Sequence, residues 1–271
     1  MSFSAPGSPP PPPQQQPPYP QNGPAPYPAP QPGPYQGHPY PAGPVHQAPA
    51  PQGVLRSPQG LATALTWLLG TAVVAHLASA ASGVYEQSWL RGFAGDTLFD
   101  DLELSLSNGF TIIAGLLKLL SMAPSIVVFI VWFHRVRVNG GIFRPDAFTL
   151  SNGWAIGGWF IPVGNLFLPF RVARQTWRAS TQRAPDGSER QASAALLTAW
   201  WTFWILGVSL GRVSDRLYIR AETVAALSDA GALGIVSDLT MVVAGALAVL
   251  FVRRLTAMQN TMATEGPYSR V

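Results

Sequence analysis

The sequence predicts an all-α membrane protein with four transmembrane helices, one proline-broken segment that does not cross, and a disordered proline-rich tail. Charged residues make up 11% of the chain and apolar residues 48%, whereas a soluble domain is about 25% charged. Four stretches carry at most one charge each, and each has about the 20 residues needed to cross a hydrocarbon core about 30 Å thick. A fifth apolar stretch is interrupted by two prolines and followed directly by arginines.

Residues 1–58 form the predicted tail. They hold most of the chain's 27 prolines, and Pro-Tyr-Pro recurs at 18–20, 26–28 and 39–41. Proline fixes φ and removes a backbone donor, so we expect a disordered segment with polyproline II character. Such a tail can dock into aromatic-lined grooves of cytoplasmic protein partners, or it can be a solvated spacer.

The predicted membrane domain covers residues 59–258, and residues 259–271 form a short polar tail. Within the third span, Gly207 and Gly211 have the spacing that permits close helix contact. The predicted spans are 61–83, 109–133, 192–211 and 230–252.

The central stretch, 153–170, is apolar enough for a span but contains Pro162, Asn165 and Pro169. Each proline breaks the helical hydrogen-bond ladder, and irregular backbone at membrane depth must be covered by protein or line a cavity. Asn165 can cap the broken helix or line a ligand site. The stretch therefore re-enters from one side or lies along the interface, although a five-span arrangement in which it crosses is the alternative.

Arginines flank the central stretch on both sides, and basic residues in short loops mark the cytoplasmic face. With both flanks inside, four spans place both termini in the cytoplasm of a bacterial cell. The loop after the third span also carries arginines but falls outside, which is the weakest point of this arrangement. The flanking arginines are Arg135, Arg137, Arg144, Arg171, Arg174, Arg178, Arg183 and Arg190.

Arg171, Arg174 and Arg178 follow the central stretch at helical spacing, with Trp177 beside them. This pattern is typical of an interfacial helix that faces anionic lipid headgroups of the inner leaflet. The arginines can bind lipid phosphates specifically, or they can simply anchor the segment to the leaflet.

Three ionisable residues fall inside predicted spans: His76, Lys118 and Asp238. An intramembrane charge is costly and usually has a partner. One hypothesis is that Lys118 pairs with Asp238, with His76 close enough to hydrogen-bond, as in a proton or ion pathway. The alternative is that Lys118 snorkels outward, Asp238 is hydrated near the interface and His76 only packs.

No catalytic constellation stands out in the sequence. The absence of cysteine excludes disulfides, thiolate nucleophiles and cysteine metal sites. No phosphate-binding glycine motif, nucleophile elbow or zinc helix is present. We therefore expect no cofactor, no metal and no nucleic-acid partner.

The motif from Trp159 to Pro169 reads Trp-Phe-x-Pro-x-x-Asn-Leu-x-x-Pro and is followed by a basic segment from Arg174 to Trp177 and Ser180. It resembles the actinobacterial membrane-protein family called domain of unknown function 4328. Similar motifs are Trp132-Phe133-His134-Arg135 with Asn139, and Val252-Arg253-Arg254-Leu255-Thr256. The resemblance covers about residues 60–260 and implies a multi-pass bacterial membrane protein. It lends no catalytic residues, because the activity of the family is not established.

Three functions remain open from the sequence. The first is a structural or interaction protein of the cell membrane. The second is a small transporter or channel that uses the Pro162–Asn165–Pro169 break and the charges of Lys118 and Asp238. The third, a membrane enzyme acting on lipid-linked substrates, lacks a convergent set of acid, base or metal-binding residues.

Overall fold

The structure, a computed structural model, describes residues 53–93, 101–190 and 192–268. Most of the predicted tail, 1–52, lies outside these residues. In the ranges described the chain is helical, and no β-strand occurs there. Two short 3₁₀ turns are Pro145–Ala147 and Gly164–Leu166. The α-helices of the described part are α1 (Gln59–Phe93), α2 (Asp101–Phe143), α3 (Trp154–Gly157), α4 (Leu168–Ala179), α5 (Ala195–Ile219) and α6 (Val224–Glu265).

Four of these helices, α1, α2, α5 and α6, are long and apolar enough to cross a membrane, which confirms the predicted fold class. The central stretch contains no such helix. Its first helical piece, α3, has 4 residues and is therefore about 6 Å long. The structure thus follows the four-span arrangement and not the five-span alternative.

All four long helices extend beyond their predicted spans. α2 begins at Asp101 rather than 109, and α6 continues to Glu265, through the segment predicted to be a polar tail. At 42 residues, α6 is about 63 Å long, roughly twice the thickness of a hydrocarbon core. Hydropathy marks where a helix is apolar, while the backbone ladder continues into polar sequence, so the helices are longer than the apolar spans.

Contacts between helix ends fix the relative direction of the long helices. Near the start of α1, Gln59 donates a hydrogen bond to Asn260 in the last part of α6. At the opposite end, the hydroxyl of Tyr218 in α5 lies 3.2 Å from a carboxylate oxygen of Glu86 in α1. α1 packs between α2 and α6, and α5 packs along the other side of α6.

Small residues allow α5 and α6 to approach closely, as the Gly207–Gly211 spacing indicated. A Cβ atom on Gly207 would lie 2.7 Å from the sulfur of Met241. Ser237 of α6 donates a hydrogen bond of 2.9 Å to the carbonyl of Gly207. A Cβ atom on Gly211 would lie 3.0 Å from the hydroxyl of Ser237. A larger residue at 207 would therefore require the side chain of Met241 to move.

The charges divide between the two ends of the bundle. At the end where α1 and α5 begin and α2 and α6 end, which we call the basic end, arginines far outnumber acids. Its arginines are Arg56, Arg135, Arg137, Arg144, Arg171, Arg174, Arg178, Arg183, Arg190, Arg253 and Arg254, and its acids are Asp146, Asp186, Glu189 and Glu265. At the opposite end, the described acids Glu86, Asp215, Glu222 and Asp229 outnumber the described arginines Arg212, Arg216 and Arg220.

The best-buried part of the core lies in the half of the bundle nearer the basic end. Trp132, Phe133, Phe251 and Leu255 are fully buried there. By contrast, the outer face of α2 carries a band of exposed apolar side chains, which is the kind of surface that contacts lipid. This band comprises Ile112, Ile113, Leu116, Leu119, Leu120, Ile126 and Val127.

Candidate functional site

The central stretch, 153–170, folds back on itself and is called the central hairpin below. A Cβ atom on Gly158 would lie 3.2 Å from the Cβ atom of Leu168, so the two arms touch there. At the tip, the amide of Gly164 donates to the carbonyl of Pro162 at 2.6 Å. Val163 between them has φ 63°, a γ-turn conformation that a β-branched residue adopts only with strain. The neighbouring structure must therefore hold this turn in place.

Aromatic side chains of α2 and α5 hold the first arm of the hairpin. The ring of Trp159 packs edge-on against Phe129 of α2 at 5.5 Å and against Trp204 of α5 at 5.9 Å between centroids. The indole of Trp201 donates a hydrogen bond of 3.1 Å to the carbonyl of Leu166 in the hairpin tip. Edge-to-face pairs each add about 0.5–1.5 kcal/mol beyond their buried area. The hairpin is thus wedged between α2 and α5.

The two prolines of the motif have different positions. Pro162 is exposed at the tip, whereas Pro169 is buried in the first turn of α4, where the missing N–H costs nothing. Asn165 is half-buried and does not cap a helix, since neither Gly164–Leu166 nor α4 has a side-chain capping bond. The structure therefore does not show the helix-capping role predicted for Asn165. The backbone groups at the break instead bond to one another and to an indole, as described above.

The predicted arginines lie on one exposed face of α4. Arg171, Arg174 and Arg178 are exposed, while the opposite face of α4 buries Val172 and Trp177. α4 is therefore amphipathic, as the sequence predicted. Of the three arginines, Arg178 forms an ion pair with Glu189 at 3.3 Å.

Glu189 connects the segment after α4 to the end of α2. Its carboxylate accepts a short hydrogen bond from the buried guanidinium of Arg144 and a second one from Arg178. The hydrogen bond from Arg144, with the charge of Arg144, lowers the pKa of Glu189 below its ordinary value. Sequence analysis counted Arg144 as a loop charge only, and nothing local predicted its partner, which lies 45 residues further on.

The three ionisable residues of the spans lie together. Nδ1 of His76 is 2.7 Å from Oδ1 of Asp238, and Nζ of Lys118 is 3.4 Å from the same oxygen. The side chain of Asp238 is 12% exposed, that of His76 22% and that of Lys118 35%. The arrangement joins α1, α2 and α6 through one carboxylate, and an acid so placed can accept or release a proton toward His76.

A buried polar network at the basic end was not foreseen from the sequence. Gln259 is 2% exposed and donates to the carbonyl of Val136 and to the hydroxyl of Ser180. It also accepts a hydrogen bond of 3.1 Å from Asn139. Sequence analysis placed Gln259 in the polar tail, yet Leu255 and Met262 on either side of it continue the apolar face of α6. That helical period was the signal that α6 continues.

Asn139 also holds the segment before α1. The amide of Arg56 donates to Oδ1 of Asn139 at 3.2 Å, and the carbonyl of Arg56 accepts from Nδ2 at 2.8 Å. A Cβ atom on Gly53 would lie 2.6 Å from Ile142. Residues 53–58, which sequence analysis assigned to the disordered tail, are therefore packed against α2.

An open groove of about 790 Å³ lies between the end of α4, the start of α5 and the last part of α6. Its lining includes neither Asn165 nor the Lys118–Asp238 pair, the two places where a transport function would need a cavity. Sequence analysis named none of the residues of this groove as a site. In the part of the chain that the structure describes, no group of three His, Asp or Glu residues could hold a metal ion.

The fold and these sites define a class: a helical protein with four helices able to cross a membrane, a proline-broken hairpin and a strongly basic end. The model of one family, described as "Domain of unknown function (DUF4328)", matches residues 95–257. The chain belongs to this family, which confirms the resemblance drawn from the sequence. No curated protein and no solved structure gave a significant match.

Proposed function

We propose that the protein is an interaction protein of the bacterial cell membrane that presents its proline-rich tail to partners in the cytoplasm. The excess of arginines at the basic end supports this orientation, since Lys and Arg in short loops stay inside. Because α1 begins and α6 ends at the basic end, both termini would then be cytoplasmic.

The central hairpin supports the same orientation. Its two flanks belong to the basic end, so a hairpin that enters and returns keeps both flanks on one side of the bilayer. The tip carries exposed apolar side chains, with Phe160 70% and Phe167 66% exposed. Such a surface is suited to the hydrocarbon region, while the arginines of α4 would contact anionic headgroups of the inner leaflet.

The observation that carries the proposal is the double hydrogen bond between the Arg56 backbone and Asn139. It fixes the point where the tail leaves the membrane domain, next to the buried Gln259. A proline-rich segment that starts from a fixed point at the membrane can bind an aromatic-lined groove at little entropic cost, because polyproline II is already extended. The rigid four-helix part would then act as the anchor.

The test uses the full chain in nanodiscs and a panel of purified proline-binding domains with aromatic grooves. Replacing Tyr19, Tyr27 and Tyr40 with serine should reduce capture of any binding domain at least about tenfold, since each tyrosine stands inside a Pro-Tyr-Pro repeat. Replacing Gln14, Gln15 and Gln16 with serine is the matched control and should leave capture unchanged. If no domain is captured, or if both triple variants bind equally well, the tail is only a spacer.

A second candidate function, proton-coupled or cation transport, is favoured by the contacts of Asp238 with His76 and Lys118. A shared carboxylate between a histidine and a lysine is a typical element of a proton relay. Proteoliposomes containing the protein should then show a proton or Na⁺ flux that Asp238→Asn abolishes and Asp229→Asn preserves. A flux no larger than that of empty liposomes would exclude this function.

A further inference from the structure

The groove between α4, α5 and α6 has an uneven distribution of polar and apolar residues. Along α6 its wall is formed by Leu250, Arg254, Met258 and Thr261, which follow one another at the three- and four-residue spacing of a single helix face. This stripe is about 16 Å long and runs from the apolar core toward the end of α6. Leu250 lies at the core end of this stripe and Thr261 at the other end, and Arg254 stands between Leu250 and Met258.

The polar part of the groove is basic. Arg190 and Arg254 both line it, and its described lining contains no acidic residue. Neither arginine forms an ion pair with any carboxylate of the described residues, unlike Arg144 and Arg178 nearby. An anion in the groove could therefore bind to both guanidinium groups without competition from a carboxylate of the described residues.

The start of α5 adds further hydrogen-bond donors. Ala192, Ser193 and Leu196 line the groove, and the hydroxyl of Ser193 accepts a hydrogen bond of 3.3 Å from the amide of Ala195 in the first turn. The remaining N–H groups at the start of this helix of 25 residues favour a negative charge nearby. The hydroxyls of Ser180 and Thr181 on the opposite wall already donate to the carbonyls of Thr176 and Trp177, so the arginines are the main anion-binding groups of the groove.

We propose that this groove binds a phosphoester with an attached apolar group. Its phosphate would lie between Arg190 and Arg254, and its apolar part along Leu196 and Leu250. The guanidinium fork matches phosphate geometry, and Leu250 lies one turn from Arg254 on the side of the bundle core. The site is distinct from the face of α4 formed by Arg171, Arg174 and Arg178, and it does not depend on what the proline-rich tail binds.

The test measures phosphatidylglycerol bound to the purified full chain by native mass spectrometry after delipidation in a neutral detergent, with phosphatidylcholine as the uncharged comparison. Arg254→Gln and Arg190→Gln should each weaken phosphatidylglycerol binding about five- to tenfold, since each removes one charge-assisted contact. Arg253→Gln, the adjacent exposed arginine outside the groove lining, should have little effect. Thermal unfolding of each variant checks that it is folded.

Two arms distinguish the sources of the phosphoester. If the ligand is a lipid, phosphatidylglycerol binds while glycerol 1-phosphate and inorganic phosphate at millimolar concentration do not displace it. If it is a soluble phosphoester, glycerol 1-phosphate displaces the lipid, and the displacement requires Arg190 and Arg254. Either result supports the site.

Three results would overturn the proposal. The first is equal binding of phosphatidylglycerol and phosphatidylcholine. The second is an equal loss of binding in Arg253→Gln and Arg254→Gln, which would indicate attraction to the general positive charge of the basic end. The third is unchanged binding in a folded variant that lacks both Arg190 and Arg254.

Discussion

Oδ1 of Asp238 in α6 lies 2.7 Å from Nδ1 of His76 in α1, although 162 residues separate them in the sequence. The same oxygen lies 3.4 Å from the ammonium of Lys118 in α2. Three helices are therefore linked through one carboxylate in a region where apolar side chains dominate. Removing the carboxylate of Asp238 leaves His76 and Lys118 without this partner, which lowers the stability of the fold in apolar surroundings.

We expect Asp238→Ala to lower the free energy of unfolding in detergent by about 1–3 kcal/mol. In the double variant with Lys118→Ala, the loss should be smaller than the sum of the two single losses, because the lysine no longer lacks its partner. The measurement is a double-mutant cycle from thermal or denaturant unfolding, with Thr240→Ala on α6 as the control. Strict additivity would show that the two residues do not interact.

The buried Gln259 tests the polar network at the basic end. Gln259→Leu keeps the approximate volume but leaves the amide of Asn139 and the carbonyl of Val136 without this partner. We expect a loss of about 1–2 kcal/mol in the free energy of unfolding, since one N–H of the Asn139 amide loses its acceptor while Nδ2 keeps its bond to the carbonyl of Arg56. Asn260→Leu changes the exposed neighbour of Gln259 and should lower the free energy of unfolding far less. Similar losses in the two variants would contradict the burial of Gln259.

Trp159 and Phe160 are adjacent in the hairpin but have opposite surroundings. Trp159 packs between Phe129 and Trp204, whereas Phe160 is 70% exposed. We expect Trp159→Ala to lower the free energy of unfolding by about 3 kcal/mol and to release the hairpin from α2 and α5. Phe160→Ala should change the free energy of unfolding in detergent only slightly. Limited proteolysis after solubilisation should cut the hairpin of the first variant much faster. Equal cleavage rates would argue against the aromatic wedge.

Glu189 makes part of the stability dependent on pH. Its pKa is lowered by the hydrogen bond from Arg144, the charge of Arg144 and the contact with Arg178. The ionised carboxylate of Glu189 therefore stabilises the folded state fully at pH values above its ordinary pKa of about 4.5. This contribution to stability is lost as the pH falls through the lowered pKa of the folded state. The unfolding temperature of Glu189→Gln should therefore lie below that of the parent at pH 7, and the difference should be smaller at pH 3.

The control for this experiment is Glu265→Gln, which changes an exposed acid outside the contacts of Arg144. It should follow the parent at both pH values. A gap between Glu189→Gln and the parent that stays constant from pH 7 to pH 3 would show that the carboxylate does not act through its charge.

The four spans could be predicted because the stretches 61–83, 109–133, 192–211 and 230–252 are apolar enough to be recognised by composition alone. The ends of the helices do not follow from the spans, since α6 continues past Arg253 into more polar sequence, where only the period of the buried Leu255 and Met262 indicates a helix. The central hairpin was predictable for a local reason: Pro162 and Pro169 break any continuous helix. Its fixation by Trp159 was not, because that depends on where α2 and α5 lie in space.

The candidate sites also divide into those with a local sequence signal and those that depend on the packing of distant segments. His76, Lys118 and Asp238 were noticeable as single polar residues in apolar surroundings, and the structure brings them together. By contrast, Gln259 and the groove arginines are ordinary polar residues in polar segments, and only the packing of α4, α5 and α6 gives them a shared cavity. Pairings over more than 40 residues, such as Arg144 with Glu189, have no local sequence signal.

The most direct test of the account is the accessibility of single cysteines in this cysteine-free chain. Cysteines at Ser151, before the hairpin, and at Ser188, after it, should both react with a membrane-impermeant thiol reagent only from the cytoplasmic side, while one at Glu222 should react only from outside. Reaction at Ser151 and Ser188 from opposite faces of the bilayer would show that the central hairpin crosses, and would contradict the four-span arrangement.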